Sequence, residues 1–446
     1  MKTSASHPRR RRRTQFLLAL FLLPACAVSA APAIEHWTTS NGARVYYVHA
    51  PELPMVDIQF IFDAGGARDG GRPGLARLTN ALLDQGAGGL DADQIAQSLE
   101  QVGAQLSTSS HRDMAIVGLR SLIDPDLLGP ATEVLARILG QPDFPAEALE
   151  RQRRRMLVAL KAQEESPGDI AQKAFYAALY GEHPYAAPPT GTEESLKALT
   201  RGEVRDYFHR YYVARNAVVA VVGALDRDQV ASLVERLAGA LAEGERAPAL
   251  PPVTPLAGAV EKHIEFPSTQ THILMGQPGM KRKDADYFPL YVGNHVLGGS
   301  GLVSRISEEI REKRGLAYSA YSYFMPMREP GPYTLGLQTR NDKAGEALAV
   351  LRNTLQRFID EGPTARELKA SKRNITGGFP LRISSNGKIV SNLAMIGFYG
   401  LPLDYLETFT AHVKAVTRDQ IRAAFQRRIH PGRMVTITVG QTPRDG

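Results

Sequence analysis

The sequence predicts an α+β protein made of two copies of one domain, each an antiparallel sheet layered with helices. Length is the first observation. A chain of 446 residues, 43% of them hydrophobic, exceeds what one ordinary core holds, so two domains or more are expected. The second is an internal repeat: Lys197-Ala-Leu-Thr-Arg201 recurs as Lys414-Ala-Val-Thr-Arg418, 217 residues later. The register then holds without a gap. Arg205 matches Arg422, Phe208 matches Phe425, Arg210 matches Arg427, Val218 matches Val435, Val222 matches Val439 and Gly223 matches Gly440. The third is the succession of strand-like runs joined by short turns, which disfavours an all-parallel sheet.

In the first half, Arg44 to His49 and Met55 to Asp63 read as strands joined by a proline-containing turn at Pro51 to Pro54. Gly74 to Gln85 places Leu75, Leu78 and Leu82 at helical spacing, and Pro145 to Glu165 is a longer charged helix that stops near Ser166-Pro167. An amphipathic helix then begins beside each repeated threonine, and each is followed by a β-branched strand, VVAVVG in the first copy and VTITVG in the second. In the second half, His272 to Gly276 reads as a strand, Ser304 to Arg314 as a helix stopped by Gly315, and Tyr318 to Phe324 as the next strand. Pro248, Pro251, Pro252 and Pro255 mark an extended linker. The expected boundaries are therefore a leader at 1–30, a first domain at 31–247, a linker at 248–258 and a second domain at 259–446.

The formal charge of +7 would suggest nucleic acid or an anionic membrane, but its position argues otherwise. Lys2 and Arg9 to Arg13 precede the apolar run Phe16 to Ala30, the pattern of a secretory signal with small residues before a cut near Ala30. Removing those six positive charges from +7 leaves +1, so no nucleic-acid partner is expected, and no transmembrane span after cleavage. The single cysteine, Cys26, lies inside this leader. Cleavage at Ala30 is preferred to lipoprotein processing at Cys26, and the body is expected to be periplasmic or otherwise exported. Without a cysteine the mature chain has no thiol nucleophile or thiolate metal ligand.

Two runs carry a family resemblance: GG-x-x-GLA over Gly70 to Ala76, and LGGSGLVSRISEEIREKRGLAYSAYS over Leu297 to Ser322. With the two-half layout they cover nearly the whole mature chain, which resembles the insulinase or pitrilysin metallopeptidases. The resemblance implies two similar α+β halves closing over a substrate and a zinc site of the inverted H-x-x-E-H type. It also implies that an arginine and a tyrosine seven residues apart, here Arg311 and Tyr318, help hold substrate at the catalytic zinc. In two-chain relatives the non-catalytic subunit touches substrate through a glycine-rich loop, which points to Gly298, Gly299 and Gly301; the loop is short here, and its glycines equally suit an ordinary turn at a helix N-terminus. On residue chemistry alone, a guanidinium donates to a peptide carbonyl and a phenol to a developing oxyanion; both also suit a solvated helix and a half-buried strand.

The zinc motif itself is missing. At the positions where the family has H-x-x-E-H this chain has Arg77, Asn80 and Ala81. Arg77 and Ala81 cannot ligate zinc, and Asn80 has no titratable carboxylate to deprotonate a bound water. The third ligand of the family, a glutamate expected between Met156 and Lys161, is also absent; Glu164 lies nearby but a lone carboxylate makes no zinc site. None of the 11 histidines stands at metal-ligand spacing. The expectation is thus an exported non-catalytic subunit with no catalytic residue and no cofactor of its own, zinc being supplied by a homologous peptidase partner acting on a peptide substrate. A stand-alone peptide-binding pseudopeptidase and an active peptidase with an unrecognised site are the alternatives.

Overall fold

In the first half the chain forms β1 (Glu35–Thr38), β2 (Arg44–His49), β3 (Met55–Phe62), the two-residue hairpin strands β4 (Gly86–Ala87) and β5 (Leu90–Asp91), β6 (Gln105–Ser110), β7 (Ala115–Leu122) and β8 (Ala217–Gly223). In the second it forms β9 (Val260–Glu265), β10 (Gln270–Pro278), β11 (Ala317–Phe324), β12 (Pro332–Arg340) and β13 (Val435–Gly440). This computed structural model describes residues 33–442. The predicted secretory leader and its cut near Ala30 lie outside the described residues.

Two sheets result, with strand orders β1-β2-β8-β3-β7-β6 and β11-β12-β10-β13-β9. Apart from the extra β1, the two orders are one topology: β2, β8, β3, β7 and β6 correspond to β9, β13, β10, β12 and β11. The pairings repeat as well. Both sheets are antiparallel except for one parallel pair, β2 with β8 and β9 with β13. The register agrees within a residue or two of the 217-residue sequence offset: Val218 pairs with Ile61 where Val435 pairs with Gly276. The repeated threonines play one role twice. Thr200 caps the helix Arg201–Tyr211 in a capping box with Glu203, and Thr417 caps Arg418–Arg428 with Gln420.

Every residue of β8 is buried, which explains its uninterrupted apolar sequence: a strand covered on both faces needs no alternation. One cover comes from its own half. Val219 and Val221 join Ile58, Phe60 and Leu78 in a single apolar core. The other cover is borrowed, because the helix Asn386–Tyr399 of the second half packs on β8 and β3. The exchange is reciprocal: the helix Pro167–Tyr180 of the first half packs on β10 and β13, where Phe175 and Leu179 meet Val435, Ile437 and Val439. These two helices start 219 residues apart and occupy equivalent places in the repeat.

The equivalent hairpin turns also meet. Buried Asp113, between β6 and β7, accepts hydrogen bonds from the Tyr185 hydroxyl (2.5 Å), the Tyr399 hydroxyl (2.9 Å) and the Arg328 backbone N–H (2.8 Å), the last from the turn between β11 and β12. A buried carboxylate in contact with both halves needs such donors, and losing one would leave it underpaired.

Three expectations are modified. The helix read over Gly74 to Gln85 spans only Leu75–Ala81, and the segment after it turns into the short β4–β5 hairpin. The helix read over Ser304 to Arg314 is one α turn, Arg305–Ser307, continued by a wider π turn, Glu308–Glu312. The proline-rich segment 248–258 has no helix or strand, yet it is packed down: Leu250 is buried and the His183 Nε2–H donates to the Pro251 carbonyl at 2.9 Å.

Candidate functional site

The second-half site begins at the helix Tyr287–Asn294, which widens into a π turn over His295–Gly299 before the chain turns at Ser300. The reason is contact with β11. A side chain at Gly298 would run into the backbone N and hydroxyl of Ser322, so only glycine lets the helix end lie against this strand. Asn294 fastens the contact by donating to the Ser322 carbonyl (2.9 Å) and accepting from its hydroxyl (2.6 Å). Gly301 takes a left-handed conformation at φ +63°, and its carbonyl accepts from Ser304 Oγ at 2.7 Å. Leu302 and Val303, just beyond it, are exposed.

Ser304 caps the next helical run, which carries Arg311. Arg305 anchors that run with a two-pronged bond to Glu367, Nε to Oε1 at 2.6 Å and Nη2 to Oε2 at 2.7 Å. Glu309 accepts from Lys313 (2.8 Å) and Arg314 (2.7 Å), and the Lys313 hydrogen bond, against mild burial, holds its carboxyl below the usual range. The run closes with Gly315 N–H on the Arg311 carbonyl and Leu316 N–H on the Ile310 carbonyl, both at 2.9 Å, with Gly315 left-handed at φ +61°. This reversal sends the chain back as β11 and brings the seven-residue Arg/Tyr spacing into contact. The Arg311 guanidinium carbon lies 4.9 Å from the centre of the Tyr318 ring. Tyr318 is 82% exposed, at a break in the β11–β12 register between Ala317 and Ala320. Arg311 is partly buried, has a loose ion pair with Glu312 (3.5 Å), and its Nη1 is shielded from solvent without a hydrogen-bond partner among the described residues. The pair therefore sets a guanidinium whose unpaired Nη1 is shielded from solvent beside an exposed phenol.

The first-half helix Leu75–Ala81 has different chemistry. Its start is held by buried Asp69, which accepts from the N–H groups of Gly74 and Ala76, both at 2.8 Å; burial pushes the Asp69 carboxyl up to about 7 against those two bonds. Arg77 is exposed, Ala81 half-buried, and Asn80 is 2% exposed. The Asn80 amide points inward and donates to the Tyr212 hydroxyl (3.3 Å) and the Ile116 carbonyl (3.4 Å). Burial raises the Tyr212 hydroxyl's pKa, with the Asn80 bond opposing. Asn80 is thus a core amide rather than a group facing a cleft. The helix Ala146–Glu164 has no acid between 156 and 161, and Glu164 is exposed at its end. Zinc does not fit these residues. Among the described residues, no group of three or more His, Cys, Asp or Glu side chains is placed to hold a metal ion.

Sequence reasoning did not find a cleft of about 350 Å³ under β11, bounded by Phe175, Tyr176, His272, Leu274, Tyr321 and Tyr323. Its signal was present, since Tyr321 and Tyr323 stand two apart in a predicted strand and must share one face.

Comparison with known proteins agrees with this architecture. Residues 44–193 match the insulinase (peptidase family M16) profile and residues 198–375 match the profile of the peptidase M16 inactive domain. A crystal structure of a peptidase M16 inactive domain from Pseudomonas fluorescens is 37% identical, with a TM-score of 0.90 over 93% of this chain and 99% of that one. The non-peptidase homolog YmxG of Helicobacter pylori is 27% identical over 413 residues, 91% of this chain and 94% of its own. The uncharacterized zinc protease YmxG of Bacillus subtilis is 26% identical over 361 residues, covering 80% of this chain and 87% of its own. Among the described residues no helix is long and apolar enough to cross a membrane. With the motif positions occupied by Arg77, Asn80 and Ala81, the chain belongs to peptidase family M16, the insulinase family, as an inactive homologue.

Proposed function

We propose that this chain is the exported, non-catalytic subunit of a two-component zinc peptidase. A homologous partner carries the zinc and its H-x-x-E-H helix, while this chain forms the opposing wall of the cleft and binds peptide through Arg311 and Tyr318, with the loop at Gly298, Gly299 and Gly301 alongside. The observation that carries this reading is the asymmetry between the halves. At the motif position where the family has its glutamate, Asn80 is buried in the core against Tyr212, whereas Arg311 and Tyr318 remain in contact and Tyr318 stays open to solvent. Exposed aromatic groups with an unused donor are not needed for folding, so their retention favours binding. The chain itself takes no cofactor in this scheme, and export follows from the leader.

In a peptide cleft, Arg311 donates to a carbonyl and Tyr318 to the oxygen that becomes negative as the peptide bond is attacked. Both orient and stabilise; neither hydrolyses. The test is co-expression with a zinc-bearing homologue from the same genome. Co-purification and stimulated peptide turnover are expected, and Arg311→Ala with Tyr318→Ala should abolish stimulation without releasing the partner. Peptide binding by this chain that never requires or stimulates any peptidase would favour the stand-alone pseudopeptidase instead.

A further inference from the structure

We propose that two tyrosine latches hold the halves of this chain in one fixed relation, so that they do not close on each other around a peptide and any moving wall must come from another chain. This departs from the two closing halves that the family resemblance implies, and it holds whichever peptide or partner is bound. The latches begin as a repeat in the sequence. Each exchanged helix ends in Tyr-Gly, at Tyr180-Gly181 and at Tyr399-Gly400, 219 residues apart. Both glycines have positive φ, +55° and +64°, and their N–H groups close on the carbonyls of Ala177 and Ile396, four residues back. The fold thus delivers a tyrosine at the same point of both helices.

Each hydroxyl then crosses to the other half. Tyr180 donates to the Pro330 carbonyl in the turn between β11 and β12 (3.1 Å), and Tyr399 donates to the Asp113 carboxylate in the turn between β6 and β7 (2.9 Å). Pro330 and Asp113 hold equivalent places, each two residues before the strand that leaves its turn. Asp113 binds the turns together as well, because its carboxylate also takes the Arg328 N–H (2.8 Å) and the Tyr185 hydroxyl (2.5 Å), and the same Tyr185 oxygen accepts from the Glu329 N–H (3.1 Å). Moving the second half away would strip Tyr399 and Arg328 from this buried carboxylate and leave it, of these three donors, Tyr185 alone.

The turns in their turn grip the helices. The Arg112 guanidinium lies over the Tyr176 ring at 4.1 Å and donates to the Ala187 carbonyl at 2.7 Å, and the Arg328 guanidinium lies over the Phe398 ring at 4.3 Å. Tyr176 and Phe398 belong to the exchanged helices. Each turn therefore holds the helix that its own half supplies, while the tyrosine at that helix's end holds the turn of the other half. The seating is also close: a Cβ on Gly397 would collide with Val218 and the Tyr46 ring of the first half. Opening the halves would pull Phe175 and Leu179 off Val435, Ile437 and Val439, and an apolar interface of this kind opposes the domain motion otherwise expected between two units.

The test measures the distance between the halves. Cys26 is the single cysteine, so with Cys26→Ser the full chain takes spin labels only where new cysteines are placed, here at exposed Glu100→Cys and Lys369→Cys. Double electron–electron resonance should give one narrow distance distribution, unchanged by a tryptic digest of casein as the source of peptides. Tyr180→Phe with Tyr399→Phe removes both hydroxyls but keeps the rings packed, and Asp113→Ala removes the shared acceptor; each should widen the distribution about twofold or more. If Asp113→Ala no longer melts cooperatively, the Phe pair alone decides. A second distance in the chain with its latches intact, with or without peptides, overturns the fixed relation, and an unwidened distribution in the Phe pair overturns the latches. Partner-dependent turnover is read separately, so either failure leaves the subunit reading intact.

Discussion

Arg311 and Tyr318 are held in contact by a helix reversal: the Gly315 N–H closes on the Arg311 carbonyl, and the guanidinium carbon comes to rest 4.9 Å from the Tyr318 ring centre. The contact is exposed on the tyrosine side and incompletely satisfied on the arginine side, since Arg311 Nη1 has no partner among the described residues. Cation–π pairs at exposed sites contribute only about 0.5–1 kcal/mol, so this one pre-positions two donors more than it stabilises the fold.

Replacing Tyr318 by Ala should therefore change unfolding free energy by no more than about 1 kcal/mol, while lowering partner-dependent kcat/KM by about tenfold or more. Tyr318→Phe separates ring from hydroxyl. It should keep the melting temperature and the peptide affinity but lose the kcat effect, as read by steady-state kinetics with partner in excess.

Rebuilding the lost motif should fail. In the triple variant Arg77→His, Asn80→Glu, Ala81→His, the new carboxylate lands where a neutral amide now serves Tyr212, and no third ligand follows between 156 and 161. The expected cost is about 2 kcal/mol or more in urea unfolding, with no stoichiometric zinc after gel filtration and no hydrolysis. Retained zinc with turnover would show that Asn80 faces a competent metal cleft after all.

Acid sensitivity should trace to Glu367. Burial raises its pKa, but the hydrogen bonds from Arg305 and Thr364 outweigh burial and bring it from 4.5 to about 2. A depressed carboxyl stabilises the fold above its unfolded pKa and loses that contribution as pH falls through the folded one. The melting-temperature gap between the natural chain and Glu367→Gln should be largest above pH 4.5 and close as pH approaches 2. Because Arg305 begins the run that carries Arg311, the same variant should loosen peptide binding at neutral pH.

Gly298→Ala probes the glycine loop by its packing. The added methyl would push the helix end off Ser322 and break the Asn294–Ser322 bonds, costing about 1–3 kcal/mol. If the loss of stability is small, the loop is looser against β11 than its contacts imply.

The repeat and the strands were legible because they depend on local pattern. β-branched runs, turn prolines and capping threonines read the same in sequence as in space, so β2, β3, β8, β10 and β13 fall where expected. The exchange of helices was not legible. The apolar face of Pro167–Tyr180 would look identical whether it covered its own sheet or the other, and only tertiary packing decides. The π turns at His295–Gly299 and Glu308–Glu312 were hidden for a similar reason: helical spacing predicts a helix, while the close approach at Gly298 widens it. The contact between Arg311 and Tyr318 was legible through their spacing and the family resemblance. The burial of Asn80 depends on Tyr212, 132 residues away, which no local pattern announces.

On the proposed reading, this chain binds peptide for a metal site it does not possess. The most direct measurement is hydrolysis of a fluorogenic peptide library by this protein alone with added zinc, by its zinc-bearing homologue alone, and by the two together. Turnover by the mixture well above the sum of the separate reactions, with this protein alone silent, is the expected result; zinc-dependent hydrolysis by this protein alone would contradict it.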